Sequence, residues 1–244
     1  MVESGDLADG DVHVWYARPE TCADEADRQR LEALLTPEEL GRRQRFVFER
    51  DQQLYLVAHA LLRSTLSRYT GIDPLDWRFA TNAYGRPDVD SPATWRSLRF
   101  NISHTTGLVA VAVTKNRDVG VDVEWNQRPG LGVELADRYF SPAEVKDLLR
   151  VATERQKRTF FDYWTLKESY IKARGMGLSL PLDRFSFHLA GEGPVTISID
   201  PDLADDAGSW YFEKHYPTGE HTLAVAARRA GRSAPHVSIR ETVP

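Results

Sequence analysis

Apolar residues recur along the chain with two periods, and the order in which the periods alternate predicts its architecture. "DVHVWYA" (11–17) alternates like a half-buried strand. Helical periodicity follows over about 25–35 and 37–69, the second stretch opening on "TPEE", a threonine cap with proline at the first helical position. Strands are predicted at 76–81, 98–103 and 108–114. The second half repeats that order. "DVGVDVEW" (118–125) reads as a strand, helices follow near 131–150 and 153–174 with "SPAE" (141–144) as a start signal, and strands are expected at 184–189, 195–199, 209–215 and 221–228. Two short identities share one offset: "DV" at Asp11 returns at Asp118, and "PLD" at Pro74 returns at Pro181, each 107 residues later. Element order and offset together predict an α+β pseudo-dimer of two similar halves, 1–118 and 119–244, with a boundary near Arg117–Gly120 and the active site between the halves.

One helix does not obey the pattern. With Phe160 at zero on a helical wheel, Phe161, Tyr163, Trp164, Leu166, Tyr170 and Ile171 cover an arc from about 240° round to about 100°. Lys167 falls inside that arc at about 340°, and Glu168 falls between Trp164 and Phe161 at about 80°. Asp162, Thr165, Ser169 and Ala173 take the opposite side. Lysine and glutamate are seldom buried without a partner, so the placement demands one. The alternatives are a snorkelling lysine with a rim glutamate, or a functional pair.

Composition narrows the classes. The chain has 244 residues, 41% hydrophobic and 27% charged, which suits a globular protein with ample core. A net charge of −5 argues against a general nucleic-acid binder, although "GRRQRFVFER" (41–50) is locally basic. The single cysteine, Cys22, leaves no internal disulfide and no multi-cysteine metal site. The acidic start "MVESGDLADGD" lacks a signal-peptide profile, and the apolar run "LVAVAV" (108–113) is too short to span a bilayer. The expectation is a cytoplasmic protein without membrane or nucleic-acid partners.

Candidate chemistry gathers in the second half. Alternation in "GVDVEW" puts Asp122 and Glu124 on one face of a strand. Adjacent carboxylates repel unless a cation or proton separates them, and hard-cation sites for Mg²⁺ use such oxygens. Glu168 offers a third. The rival is a solvated edge of a half-exposed strand. "LRFNISHT" (98–105) carries Ser103 and His104 at a strand end, "YGRPDV" (84–89) presents Arg86 on a turn, and Arg42, Arg43, Arg45 and Arg50 form the basic patch; arginine forks suit phosphate. Neither a Walker loop nor a dinucleotide-binding glycine fingerprint occurs. Three acids, an interior lysine and separated phosphate-binding candidates suit metal-assisted transfer or hydrolysis at a pyrophosphate, with nucleotide and acceptor both open.

"GVDVEW" followed by "WTLKESYIKARGMGLSLPL", with "YGRP" and "FNISHT" upstream, resembles the ordered motifs of 4′-phosphopantetheinyl transferases of the surfactin-synthetase-activating type. The likeness runs from about Thr36 to Phe187. It implies the 4′-phosphopantetheinyl transferase-like fold. It also implies transfer of the phosphopantetheine arm of coenzyme A, the co-substrate, to a serine of an acyl or peptidyl carrier protein. Such carriers serve polyketide, nonribosomal peptide or fatty acid biosynthesis. The reaction releases adenosine 3′,5′-bisphosphate and requires Mg²⁺, with Mn²⁺ as substitute. By position, the resemblance makes Asp122, Glu124 and Glu168 the metal acids, with Glu168 also the base. Lys167 and Lys172 become lysines at the transferring phosphate, and Ser103, His104, Arg86 and Arg42 the coenzyme A contacts. Two positions depart from the pattern: Arg86 replaces a lysine, and Glu39 stands where a second basic residue is expected. A metal-dependent pyrophosphate hydrolase and a non-catalytic coenzyme A or carrier-binding module are the alternatives. A monomer with one site is expected, because a 107-residue subtraction maps Asp122, Glu124 and Glu168 onto Trp15, Ala17 and Leu61, none of which binds a metal.

Overall fold

The computed structural model describes residues 7–189, 193–231 and 233–244. The chain divides into two compact units, Met1–Asn116 with His236–Pro244, and Arg117–Pro235. In the first, β1 (Asp11–Ala17) leads to α1 (Glu25–Glu32), α2 (Pro37–Arg43) and the long α3 (Glu49–Thr70). The ribbon β2 (Arg78–Thr81) and β3 (Pro87–Ser91) follows, then the hairpin β4 (Leu98–Thr105) and β5 (Leu108–Lys115). The second unit repeats the plan with β6 (Val119–Trp125), α4 (Ala136–Tyr139), α5 (Pro142–Arg150) and the long α6 (Thr153–Arg174). It continues through the ribbon β7 (Phe185–His188) and β8 (Thr196–Ile199) to the hairpin β9 (Trp210–Thr218) and β10 (His221–Arg228). The last strand, β11 (His236–Glu241), runs parallel to β1. The sheet orders are β11-β1-β5-β4 and β6-β10-β9. The sequence division placed 236–244 in the second half; pairing of His236–Glu241 with Asp11–Tyr16 returns that segment to the first unit.

The same local devices set both units. Thr36 and Ser141 each close a capping box, with Glu39 and Glu144, and each precedes a proline at the first helical position. Both long helices stop at a glycine in the left-handed region, Gly71 and Gly175, where a side chain would be strained. Each helix has 22 residues, and the second begins 104 residues after the first. The helical offset is therefore 104, not 107, and the first-unit counterpart of Glu168 is Ser64 rather than Leu61.

Two helices predicted as continuous are broken. Residues 44–48 separate α2 from α3, with Phe48 extended; the Gln52 amide satisfies the freed Phe46 carbonyl at 2.9 Å. Phe140 is extended before the Ser141 cap, which divides the predicted 131–150 helix into α4 and α5. The first core gathers Leu56, Leu61, Leu66, Trp77 and Phe100 around α3; the second is aromatic, with Phe140, Phe160, Tyr170, Phe187 and Trp210 around α6. Among the described residues no helix is long and apolar enough to cross a membrane.

Candidate functional site

Between Phe160 and Ala173, α6 is buried on every side but one: only Trp164, Glu168 and Lys172, spaced four apart on a single stripe, keep partial exposure. The small and polar side opposite the aromatic arc is covered as well, with Thr165 and Ser169 fully buried and Asp162 5% exposed. Gly120 explains how. A β-carbon there would sit 2.0 Å from the Ser169 carbonyl oxygen and 2.6 Å from the Ala173 amide, so the bare glycine lets β6 lie directly on the helix backbone.

Two residues along that strand come the acids. Asp122 pairs in register with Ala224 and Glu124 with Thr222, and both side chains are buried, at 4% and 6% exposure. A solvated strand edge is thereby excluded. Each buried acid has a cation: Lys172 Nζ lies 2.7 Å from Asp122 Oδ1, and Arg128 Nη1 lies 2.7 Å from Glu124 Oε1. The Trp164 side chain also hydrogen-bonds to Glu124. Burial, reinforced by the Asp122 charge, pushes Glu124 up to about 7 against the pull of Arg128, Lys172 and the Trp164 bond. Glu168 rises to about 7 for the same two reasons, opposed by Lys172 and Arg128. Among the described residues no three His, Cys, Asp or Glu side chains already converge as metal ligands; cations hold the acids instead. The arrangement concentrates hard oxygen donors beside an exposed stripe and leaves them short of positive charge.

Lys167 does not join this cluster. Its side chain is fully buried, and Nζ lies 2.7 Å from Glu144 Oε2, 2.7 Å from the Leu182 carbonyl and 2.9 Å from the Phe185 carbonyl. Three acceptors match the three N–H bonds of an ammonium. Burial pulls its pKa below the ordinary lysine value, with the Glu144 charge and hydrogen bond opposing. Glu144 also accepts from the Ser141 and Phe187 amides at 2.8 Å each. The partner that the wheel demanded is this glutamate, so Lys167 is a core clasp and the expected phosphate contact is withdrawn.

The first unit holds the same clasp. Arg63 Nε bonds Glu39 at 2.8 and 3.1 Å, and its Nη1 donates to the Pro74 and Trp77 carbonyls at 2.5 and 3.3 Å. Burial would raise the Glu39 carboxyl, but hydrogen bonds from His59, Arg63 and Thr36 hold it down at about 2. Glu39 therefore completes a cap and a buried pair, and its departure from a basic residue has a structural reason.

The remaining candidates fall in the first unit. A cleft of about 800 Å³ is lined by Arg42, Gly85, Pro87, Arg78 and Phe79, among others, which brings Arg42 and the Arg86 turn to one place. Asn82 Oδ1 accepts from the Tyr84 and Arg86 amides at 2.9 Å, and Gly85 takes φ +86° to close the turn. Arg86 lies 3.3 Å from Asp88, and exposed Arg42 lies 2.7 Å from Glu38. Ser103 and His104 are neighbours on β4 and so face opposite ways, Ser103 buried and His104 exposed. Sequence reading missed Arg128 and the link from Trp164 to Glu124. The only available signal for Arg128 was its place four residues after Glu124.

Family models match both parts of the chain: 4′-phosphopantetheinyl transferase superfamily over residues 118–226, and 4′-phosphopantetheinyl transferase, N-terminal, over 23–116. The chain is 34% identical to the 4′-phosphopantetheinyl transferase Sfp of Bacillus subtilis (strain 168), over 82% of its own length and 85% of that protein. It is 33% identical to the 4′-phosphopantetheinyl transferase HetI of a Nostoc species, over 92% and 91% of the two chains. The holo-[acyl-carrier-protein] synthase of Neisseria meningitidis aligns structurally with 46% of this chain and 97% of its own, at 14% identity and a TM-score of 0.39.

Proposed function

The chain belongs to the 4′-phosphopantetheinyl transferase family, and from that premise we propose that Asp122, Glu124 and Glu168 hold Mg²⁺ for transfer of the phosphopantetheine arm of coenzyme A to a carrier-protein serine. The observation that carries this reading is the meeting of two buried acids on β6 with the single exposed stripe of α6. The donors fit the ion. They are all carboxylate oxygens, and burial beside the Asp122 charge raises Glu124 and Glu168, which a bound cation would offset. When bound, Mg²⁺ neutralises charge on the diphosphate and on the departing adenosine 3′,5′-bisphosphate.

The protein's own groups divide the remaining work. Asp122 and Glu124 each carry an ion pair, whereas among the described residues none is seen to Glu168. Glu168 is also the least buried of the three, so it is the acid available to take the serine proton, directly or through water. Lys172 sits beside Asp122 on the exposed stripe and meets the transferring phosphate. Arg42, Arg86, Ser103 and His104 bind coenzyme A, with Arg42 serving its phosphates from the first-unit cleft and Arg86 from the turn whose Gly85 and Pro87 line that cleft. Mn²⁺ substitutes for Mg²⁺, and the enzyme works as a cytoplasmic monomer on acyl or peptidyl carrier proteins.

Asp122→Asn tests the assignment. It keeps the shape, removes one charge, and is expected to lower transfer by about 100-fold or more, because charge stabilisation at the reacting phosphate depends on it. Mass spectrometry of an apo carrier protein incubated with coenzyme A and Mg²⁺ reads the added arm. Turnover equal to the wild type would remove Asp122 from the site. Consumption of coenzyme A without a carrier would mark a hydrolase.

A further inference from the structure

Just past β6 the chain turns back on itself. The Arg128 amide donates to the Trp125 carbonyl at 2.9 Å, and the Asn126 amide to the Glu220 carbonyl at 2.8 Å. That turn returns Arg128 to the acid four residues before it, with its guanidinium 2.7 Å from Glu124. The two partners live in different surroundings: the Glu124 side chain is 8% exposed and that of Arg128 is 53% exposed. Lys172, the other cation of the cluster, is anchored on α6 and is 27% exposed. Arg128 is the more exposed member, with more than half of its side chain in water at the end of a turn.

We infer that Arg128 is a resident counter-ion that positions Glu124 in the metal-free protein and must yield it when a divalent cation binds. The inference rests on the reading of Asp122, Glu124 and Glu168 as the Mg²⁺ acids. Its physical basis is competition for one carboxylate. Mg²⁺ approaches its oxygen ligands to about 2.1 Å, and a guanidinium on the same oxygen would bring two cations into contact. Arg128 can leave for solvent because more than half of its side chain is already hydrated, and the arriving cation takes its place at the buried Glu124 carboxylate. Before it leaves, it and the Trp164 hydrogen bond fix where the Glu124 carboxylate points. Arg128 is thus a positioning residue that works against the ion for which it prepares the site.

The sign of its effect separates this role from a scaffolding one. If Arg128 only supported the turn, its removal would loosen the acids and weaken metal binding. As a competitor, its removal should tighten binding by about 1.5- to 5-fold, the range that a weak ion pair corresponds to. The measurement is Mn²⁺ binding to the full chain without coenzyme A, read from the free-ion electron paramagnetic resonance signal, for wild type, Arg128→Gln, Arg128→Lys and Asp122→Asn. Arg128→Gln should bind Mn²⁺ more tightly than wild type, Arg128→Lys should restore wild-type affinity, and Asp122→Asn should lose binding. Unchanged or weaker binding in Arg128→Gln, with the other arms as expected, overturns the counter-ion role alone. Undiminished binding in Asp122→Asn, or none in the wild type, overturns the metal reading and this inference with it.

Discussion

Replacing Lys167 by methionine separates a clasp in the core from a residue at the phosphate. Methionine keeps the length and apolar bulk of the side chain but removes the ammonium. Glu144 would then lose its only cation among the described residues in a fully buried setting, and the Leu182 and Phe185 carbonyls would lose their donor. Breaking a buried ion pair from one side typically costs about 3–5 kcal/mol, mostly from the charge left behind. The Ser141 and Phe187 amides still donate to Glu144 and should keep the cost toward the lower end. At about 2–4 °C per kcal/mol for a chain of this size, the melting temperature should fall by about 6–20 °C. The assay pairs a thermal melt with a coenzyme A titration at a temperature where the variant is folded. Coenzyme A affinity should stay within about twofold, since a side chain with no exposure cannot touch a ligand. A tenfold loss of affinity with an unchanged melting temperature would refute the clasp and return Lys167 to the site.

Two further outcomes follow from the same geometry. Glu39 is held at about 2 against an ordinary 4.5, so its contribution of about 3 kcal/mol is complete above pH 4.5 and is lost as pH falls from 4.5 to 2. Urea midpoints at pH 7 and pH 3 should therefore differ less in Glu39→Gln than in the wild type, and equal differences would contradict the buried pair. Gly120→Ala should disable transfer without touching a reacting group. Its β-carbon collides with the α6 backbone, so β6 must retreat and carry Asp122 and Glu124 away from Glu168, a misplacement worth about 100-fold in rate. An active Gly120→Ala enzyme would show that the close approach is not needed.

Strong local signals carried most of the fold into view. The 153–174 helix and the 221–228 strand have the bounds read from periodicity alone, because each has a dense apolar pattern and, for the helix, a glycine stop. What stayed hidden depends on distant partners. "HVSIRE" alternates only through Val237 and Ile239, too short a pattern to single out, and it pairs as a strand with the distant β1. "PDVDS" is polar, and forms β3 only by pairing with β2. The break at 44–48 contains neither glycine nor proline. The acid pair was legible because strand alternation places Asp122 and Glu124 together by local geometry. Lys167 was legible as an anomaly but not as a clasp, since its partner lies 23 residues earlier and was visible only as part of a cap.

The clasp and the proposed site behave in opposite ways across the internal repeat, and that contrast supports placing the site's acids in the second unit. Glu39 with Arg63 matches Glu144 with Lys167: the same cap supplies the acid, the same helical position supplies the cation, and both cations bind two carbonyls of the segment ahead. Five residues further along each long helix stands a second cation, Arg68 in one unit and Lys172 in the other. These two meet different partners. Lys172 meets Asp122 at 2.7 Å, whereas Arg68 stacks on the ring of Trp15 at 4.0 Å. Strand registers agree on the equivalence, since Val14 pairs with Ala112 and Val121 with Val225, one residue before Trp15 and Asp122 respectively. Trp15 is 4% exposed and fills with carbon and an indole the position where β6 brings a carboxylate, and Ala17 stands where β6 brings Glu124. A tryptophan stacked on an arginine needs no metal and offers it no oxygen. The repeat therefore keeps the buried cap-to-helix ion pair in both copies and keeps the paired strand acids in one.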